Sequence, residues 1–132
     1  MRTTTANPID QIRAEASTSA SEICGALIGD GDVVTRAIPL VNASNRVQDS
    51  FYIPAADVLR IEREAERTGA MLMGFYHSHP HGDAAPSNTD LQDALPGYVY
   101  WIASRTGEVR AWRLRDDRTA FDEVEVATRD DG

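Results

Sequence analysis

The sequence predicts a single α/β domain built on a mixed sheet. Short apolar runs of strand length occur between amphipathic segments of helix length. Several of these runs are joined by short turns, as antiparallel neighbours are, which argues against a repeating βαβ barrel. The chain has 132 residues with no internal repeat and no linker, so residues 1–132 are expected to form one domain.

Three helices are expected from signals at their ends. Asn7 is a candidate N-cap, and the proline that follows it suits the first position of a helix. Gly69 is a stop signal for the second helix. Ser87 and Asp90 have the spacing of a capping box at the start of the third. The predicted helices span Pro8–Ala16, Pro54–Arg67 and Ser87–Leu95.

Apolar runs predict the strands. Met71–Tyr76 carries no charge over its length, which is typical of a central strand buried on both faces. The turn-forming residues Gly29–Asp32 predict a hairpin between the strands on either side. The predicted strands span Ile23–Ile28, Val33–Val41, Phe51–Ile53, Met71–Tyr76, Tyr98–Ala103, Glu108–Leu114 and Phe121–Val126, and Asn42–Asp49 is predicted to be a polar loop.

Composition excludes several classes of protein. A net charge of −8 disfavours nucleic acid and anionic membranes as partners, because both need clustered cations. No run is long enough to cross a bilayer, and the amino-terminal residues lack the apolar core of an export signal. The single cysteine, Cys24, excludes an internal disulfide and suits a reducing compartment, so a cytoplasmic protein is expected. The oligomeric state, monomer or homodimer, is left open.

All the histidines of the chain lie within five residues. His77 and His79 follow the predicted central strand two positions apart, so in extended backbone their rings point to the same side. Asp90 follows near the start of the third helix, where a carboxylate is favoured. Two imidazoles and one carboxylate can hold Zn²⁺ and leave a fourth position open, as in catalytic sites. His81 is an alternative third imidazole, although the residues around it predict a loop that turns away.

A zinc-activated water also needs a base, and Glu22 is the candidate. It stands at the mouth of the first apolar strand, where a carboxylate is costly unless it has a partner or a task. Cys24, two residues later, is expected to fill the core and not to act as a nucleophile.

These residues, in this order, resemble the JAMM (MPN+) zinc metalloprotease family. The family pattern is an upstream glutamate, then His-x-His-Pro, then Ser-x-x-Asp. Glu22, the segment His77–Pro80 and the segment Ser87–Asp90 match it. Asp90 follows His77 by 13 residues, the usual spacing in the family. The resemblance extends from about residue 9 to residue 126.

The resemblance implies a mixed, curved β-sheet flanked by helices, related to the cytidine deaminase architecture. It implies that His77, His79 and Asp90 bind zinc, that Glu22 is general base and later general acid, and that Ser87 steadies the oxyanion. The implied reaction is hydrolysis of the bond after the C-terminal Gly-Gly of a ubiquitin-like or sulfur-carrier protein. The alternative is a non-catalytic module of the same fold that binds ubiquitin-like proteins. A deaminase is disfavoured because the sequence lacks the zinc-site cysteines of that pattern.

Overall fold

The computed structural model describes residues 7–44 and 51–128. Within them the chain forms three helices and six strands. In chain order these are α1 (Pro8–Ser17), β1 (Cys24–Gly29), β2 (Val34–Leu40), α2 (Ala55–Arg67), β3 (Met71–His79), α3 (Asn88–Asp93), β4 (Val99–Ser104), β5 (Val109–Leu114) and β6 (Phe121–Val124).

All six strands belong to one sheet in the order β2-β1-β3-β4-β5-β6. The pair β3–β4 is parallel, and the other four pairs are antiparallel. The predicted mixed α/β sheet is therefore confirmed. The apolar run at Met71 begins the central strand β3, with β1 and β4 on its two sides.

The sheet has a hydrophobic core on each face, because successive side chains of a strand point to opposite sides. Tyr76 and Trp101 pack in the core on the α1 side. Their neighbours Phe75 and Tyr100 pack in the core on the α2 side. His77 lies two residues beyond Phe75, and so it shares the α2 face of the sheet. Strand alternation therefore decides which face of the sheet carries His77 and His79.

The predicted signals at the ends of the helices are present in the structure. The side chain of Asn7 accepts a hydrogen bond from the Ile9 N–H at 2.8 Å and caps α1. Ser87 caps α3 in a reciprocal capping box with Asp90. Gly69 follows α2 with a φ of +77°, a conformation that glycine adopts without steric cost.

The third helix is shorter than predicted. It ends at Asp93, and Ala94 is already extended, with a ψ of 154°. Pro96 disfavours helical backbone at the residue before it. The N–H of that residue, Leu95, instead donates to the Tyr100 hydroxyl at 2.8 Å.

The predicted strand Phe51–Ile53 is wrong, since these residues form no strand. The Tyr52 carbonyl accepts from the Ala43 N–H at 2.9 Å, and the Tyr52 N–H donates to the Asn42 side chain at 3.1 Å. These hydrogen bonds satisfy the backbone N–H and carbonyl of Tyr52 without pairing to a neighbouring strand. Of the predicted loop Asn42–Asp49, residues 42–44 are irregular, and residues 45–49 lie outside the described residues.

Gly74 is fixed by the close approach of β4. A Cβ at this position would overlap the Val99 carbonyl oxygen and lie 2.8 Å from the Val99 nitrogen. We expect Gly74→Ala to lower the free energy of unfolding by about 3 kcal/mol or more, because two paired backbones must separate. Urea unfolding measures this loss. Gly82→Ala is the matched control, since its nearest contact would be an ordinary 3.5 Å to His79; equal losses for the two variants would contradict the explanation.

No helix in the described ranges has both the length and the apolar character needed to span a membrane.

Candidate metal centre

Two imidazoles and a carboxylate converge where β3 ends beside α3. The Nε2 atoms of His77 and His79 are 3.2 Å apart. The Asp90 Oδ2 atom lies 3.1 Å from each of them. The extended backbone of β3 directs both rings to one side, and the capping box of α3 holds the carboxylate against them. We call these three atoms the donor triangle.

The donor triangle fits a zinc ion. Ligand atoms at about 2.0–2.2 Å from a tetrahedral ion lie about 3.3–3.6 Å from one another. The sides of the triangle, 3.1 and 3.2 Å, are close to this spacing. Imidazole nitrogen and carboxylate oxygen are ordinary zinc donors. Three protein ligands leave a fourth position open.

Glu22 lies beside the donor triangle and is almost fully buried. One ligand atom each from Glu22, His77 and His79 lie within 4.8 Å of one another. Cys24 pairs with His77 across the β1–β3 ladder, so two residues earlier Glu22 faces the same side of the sheet. Both carboxylates therefore lie near the imidazoles, Asp90 at 3.1 Å and Glu22 within 4.8 Å.

The main chain around Glu22 is held by contacts that sequence reasoning missed. The Ile23 N–H donates to the Ser78 Oγ at 3.0 Å, and the Ser78 N–H donates to the Ile23 carbonyl at 3.1 Å. The Asn42 Nδ2 donates to the Glu22 carbonyl at 2.9 Å. The serine between the two histidines was the available signal, because its side chain must face away from the metal-binding side.

Each imidazole is oriented by a neighbour outside the triangle. The His79 Nδ1 lies 2.8 Å from the Asp83 carbonyl oxygen. A carbonyl only accepts, so Nδ1 carries the hydrogen, and in the neutral ring Nε2 keeps its lone pair for a metal. His77 is stacked on Phe51, with ring centroids 4.3 Å apart. Its buried Nδ1 has no hydrogen-bond partner among residues 7–44 and 51–128.

Electrostatics favours the ligand forms of two members of the triangle. Burial alone would raise the pKa of Asp90, but hydrogen bonds from the two imidazoles and the Ser87 N–H hold this pKa well below its usual range. Burial lowers the pKa of His77, which favours its neutral form. Burial also acts to lower the pKa of His79, but the Asp90 and Asp83 hydrogen bonds outweigh it and raise this pKa. An ionised carboxylate and a neutral imidazole are the states in which these groups bind metal.

Ser87 is exposed beside the triangle and takes part in the capping box. Its Oγ accepts from the Asp90 N–H at 3.1 Å, and its own N–H donates to the Asp90 Oδ2 at 2.9 Å. A hydroxyl that accepts one hydrogen bond still has its hydrogen to donate. Capping α3 and donating to a substrate oxygen are therefore compatible, and the oxyanion role of Ser87 stays a prediction.

His81 is exposed and does not join the convergent group found among the described residues. The chain turns after β3, and the Gly82 N–H donates to the His79 carbonyl at 3.2 Å. This turn directs His81 away from the other two imidazoles.

Cys24 is buried in β1, as predicted. Burial, together with the charges of Glu22 and Glu15, raises the pKa of its thiol from 9.0 to about 12. The thiolate, which is the reactive form, is therefore rarer by about a thousandfold. We expect Cys24 in the native protein to resist a thiol reagent at pH 8 over the time in which urea-unfolded protein reacts completely. Equal labelling rates would contradict this burial.

An apolar cavity of about 330 Å³ adjoins the donor triangle on the α2 face. One end is lined by Glu22, His77, Ser87 and Asp90. The remaining wall is mostly apolar. It is lined by Phe51, Tyr52, Ile53, Val58, Phe75, Ala94, Leu95, Tyr100, Ile102 and Phe121, together with the polar residues Thr89 and Asp93. A site that joins a few polar groups to an apolar cavity is typical of a binding cleft.

Known proteins are similar to this chain in sequence and in fold. The family described as prokaryotic homologs of the JAB domain matches residues 5–115. A desampylase of Haloferax volcanii is 38% identical over 110 residues, which cover 81% of this chain and 78% of the relative. A CysO-cysteine peptidase of Mycobacterium tuberculosis is 29% identical over 113 residues, which cover 80% of this chain and 76% of the relative.

The fold also agrees with a solved structure. A JAB1/MPN domain protein from Archaeoglobus fulgidus superposes with a TM-score of 0.60 at 22% identity, over 92% of this chain and 93% of that one. At this identity the likeness establishes the fold alone. The family match over most of the chain shows that this protein belongs to the prokaryotic JAB family, the JAMM family of hydrolytic enzymes.

Proposed function

We propose that this protein is a zinc-dependent isopeptidase or peptidase. It hydrolyses the bond after the C-terminal glycine of a ubiquitin-like or sulfur-carrier protein, in the cytoplasm. The observation that carries the proposal is the meeting of the donor triangle with Glu22 at one end of a cavity. The desampylase and the CysO-cysteine peptidase named above, which act on conjugates of small ubiquitin-like or sulfur-carrier proteins, support the choice of substrate.

The proposed ligands are His77, His79 and Asp90. They would hold a zinc ion, which would supply Lewis-acid activation of a water near neutral pH and of the scissile carbonyl. Glu22 takes the proton from the attacking water and then delivers it to the leaving amine. Its burial suits this task, because a carboxylate shielded from bulk water exchanges protons with the reacting groups and not with solvent.

The remaining residues of the site orient the imidazoles and stabilise the negative charge that develops on the substrate oxygen. The Ser87 hydroxyl donates to the oxygen that becomes negative when the carbonyl is attacked. Such a donor is worth about 3 kcal/mol in comparable sites. The Asp83 carbonyl fixes the tautomer of His79, and the Phe51 ring packs on His77. Both contacts hold the imidazoles in one geometry before substrate arrives.

The test is cleavage of a fusion protein. A small ubiquitin-like protein ending in Gly-Gly is fused to a reporter peptide and incubated with the zinc-loaded protein. We expect one cut directly after the second glycine, identified by mass spectrometry. A fusion that ends in Ala-Ala is the matched control, and it is expected to be cut much more slowly. Tight binding of the Gly-Gly fusion without cleavage would overturn the proposal in favour of a non-catalytic binding module.

A further inference from the structure

The side chain of Asn42 joins two segments on which the candidate site depends. Its Nδ2 donates to the Glu22 carbonyl at 2.9 Å. Its Oδ1 accepts from the N–H of Ser44 at 3.0 Å and of Tyr52 at 3.1 Å. We propose that Asn42 is a positioning residue for hydrolysis, which fixes Glu22 against the segment that carries Phe51. The inference rests on the proposed function, in which Glu22 is the base.

On one side, Asn42 fixes the main chain of the base. Glu22 precedes β1, whose ladder to β3 begins with the pair Cys24–His77. Ser78 in β3 accepts a hydrogen bond from the Ile23 N–H. Asn42, which follows β2, donates a hydrogen bond to the Glu22 carbonyl. The direction of the Glu22 carboxylate depends on this anchored backbone. A misplacement of about 1 Å in such a group can cost about a hundredfold in rate.

Asn42 also holds the segment whose Phe51 ring stacks on His77. Phe51 lies outside any strand, and yet its ring stacks on the buried imidazole at 4.3 Å. The neighbouring residue, Tyr52, is held at both backbone groups: its N–H by the Asn42 side chain and its carbonyl by the Ala43 N–H. Loss of the Asn42 oxygen therefore loosens the residue next to Phe51.

Two substitutions separate these two effects. In Asn42→Asp the carboxylate still accepts from the Ser44 and Tyr52 N–H groups, but it cannot donate to the Glu22 carbonyl. In Asn42→Ala both connections are lost. We expect Asn42→Asp to lower kcat by about tenfold to a hundredfold with KM within about twofold, and with a full equivalent of zinc. We expect Asn42→Ala to show the same loss of kcat.

A second readout does not depend on activity. The rate at which a chromophoric chelator removes zinc reports how firmly the imidazoles are held. Asn42→Ala is expected to lose zinc faster than Asn42→Asp, because only the alanine variant also releases the Tyr52 segment. Asn7→Ala is the matched control: it removes the N-cap hydrogen bond of α1, and within the described residues the hydrogen bonds of Asn7 are to α1. This control is expected to lower Tm and to leave kcat and zinc release unchanged.

The double variant with Glu22→Gln decides whether Asn42 acts through Glu22. If it does, Asn42→Asp leaves the residual rate of Glu22→Gln unchanged. Wild-type kcat in both Asn42 variants would overturn the inference while leaving the proposed function intact. The inference would also be overturned if Asn42→Asp lowered kcat by the same factor in the wild-type protein and in Glu22→Gln. Full turnover by Glu22→Gln alone would instead overturn the proposed mechanism, and this inference with it.

Discussion

The Glu22→Gln variant is expected to hold zinc and to lose about two to four orders of magnitude in kcat. Glutamine has nearly the same shape as glutamate but cannot take a proton from water at neutral pH. Glu22 is not among the three proposed ligands, so the metal content is expected to stay at one equivalent. Single-turnover hydrolysis of the Gly-Gly fusion and elemental analysis measure the two quantities.

The control for this prediction is Glu66→Gln, an exposed glutamate on α2. It makes the same change of charge away from the site and is expected to keep the wild-type rate. If Glu22→Gln cleaves the fusion at the wild-type rate, Glu22 has no part in proton transfer. If it loses both rate and zinc, Glu22 is a ligand and not a separate base.

The second large effect is expected from Asp90→Asn, which should purify with less than about half an equivalent of zinc and with no measurable hydrolysis. An amide oxygen carries no charge and is a far weaker zinc donor than a carboxylate. The same oxygen still accepts from the Ser87 N–H, so the cap of α3 is largely kept. Loss of zinc would therefore report loss of a ligand and not unfolding, which circular dichroism checks.

Asp93→Asn is the matched control for Asp90→Asn. Asp93 is exposed on the same short helix, so the substitution makes the same change of charge without changing the donor triangle. It is expected to retain a full equivalent of zinc. Equal zinc content in Asp90→Asn would exclude Asp90 as a ligand.

The fold was largely predictable because its strongest signals are local. The uncharged run at Met71 begins the central strand, and the candidate N-caps Asn7 and Ser87 begin helices. The convergence of His77 and His79 also follows from local geometry, since both lie on β3 two residues apart. The position of Asp90 follows from the same capping box that begins α3.

The supports of the site were not predictable from local signals. Ser78 contacts a residue 55 positions away in sequence, and Asn42 contacts one 20 positions away. The contact of Phe51 with His77 likewise depends on the long-range packing of α2, and of the residues before it, against β3. The predicted strand at Phe51 failed for a related reason, because a side chain and a single backbone bond satisfy this segment where a ladder was expected.

The most direct test of the account is a crystal structure of the zinc-loaded protein with anomalous data at the zinc edge. We predict one peak at about 2.0–2.2 Å from the Nε2 atoms of His77 and His79 and from the Asp90 Oδ2, with the Glu22 carboxylate not bonded to it. A peak bonded to Glu22 and not to Asp90, or one at another place in the chain, would contradict the assignment of ligands and base.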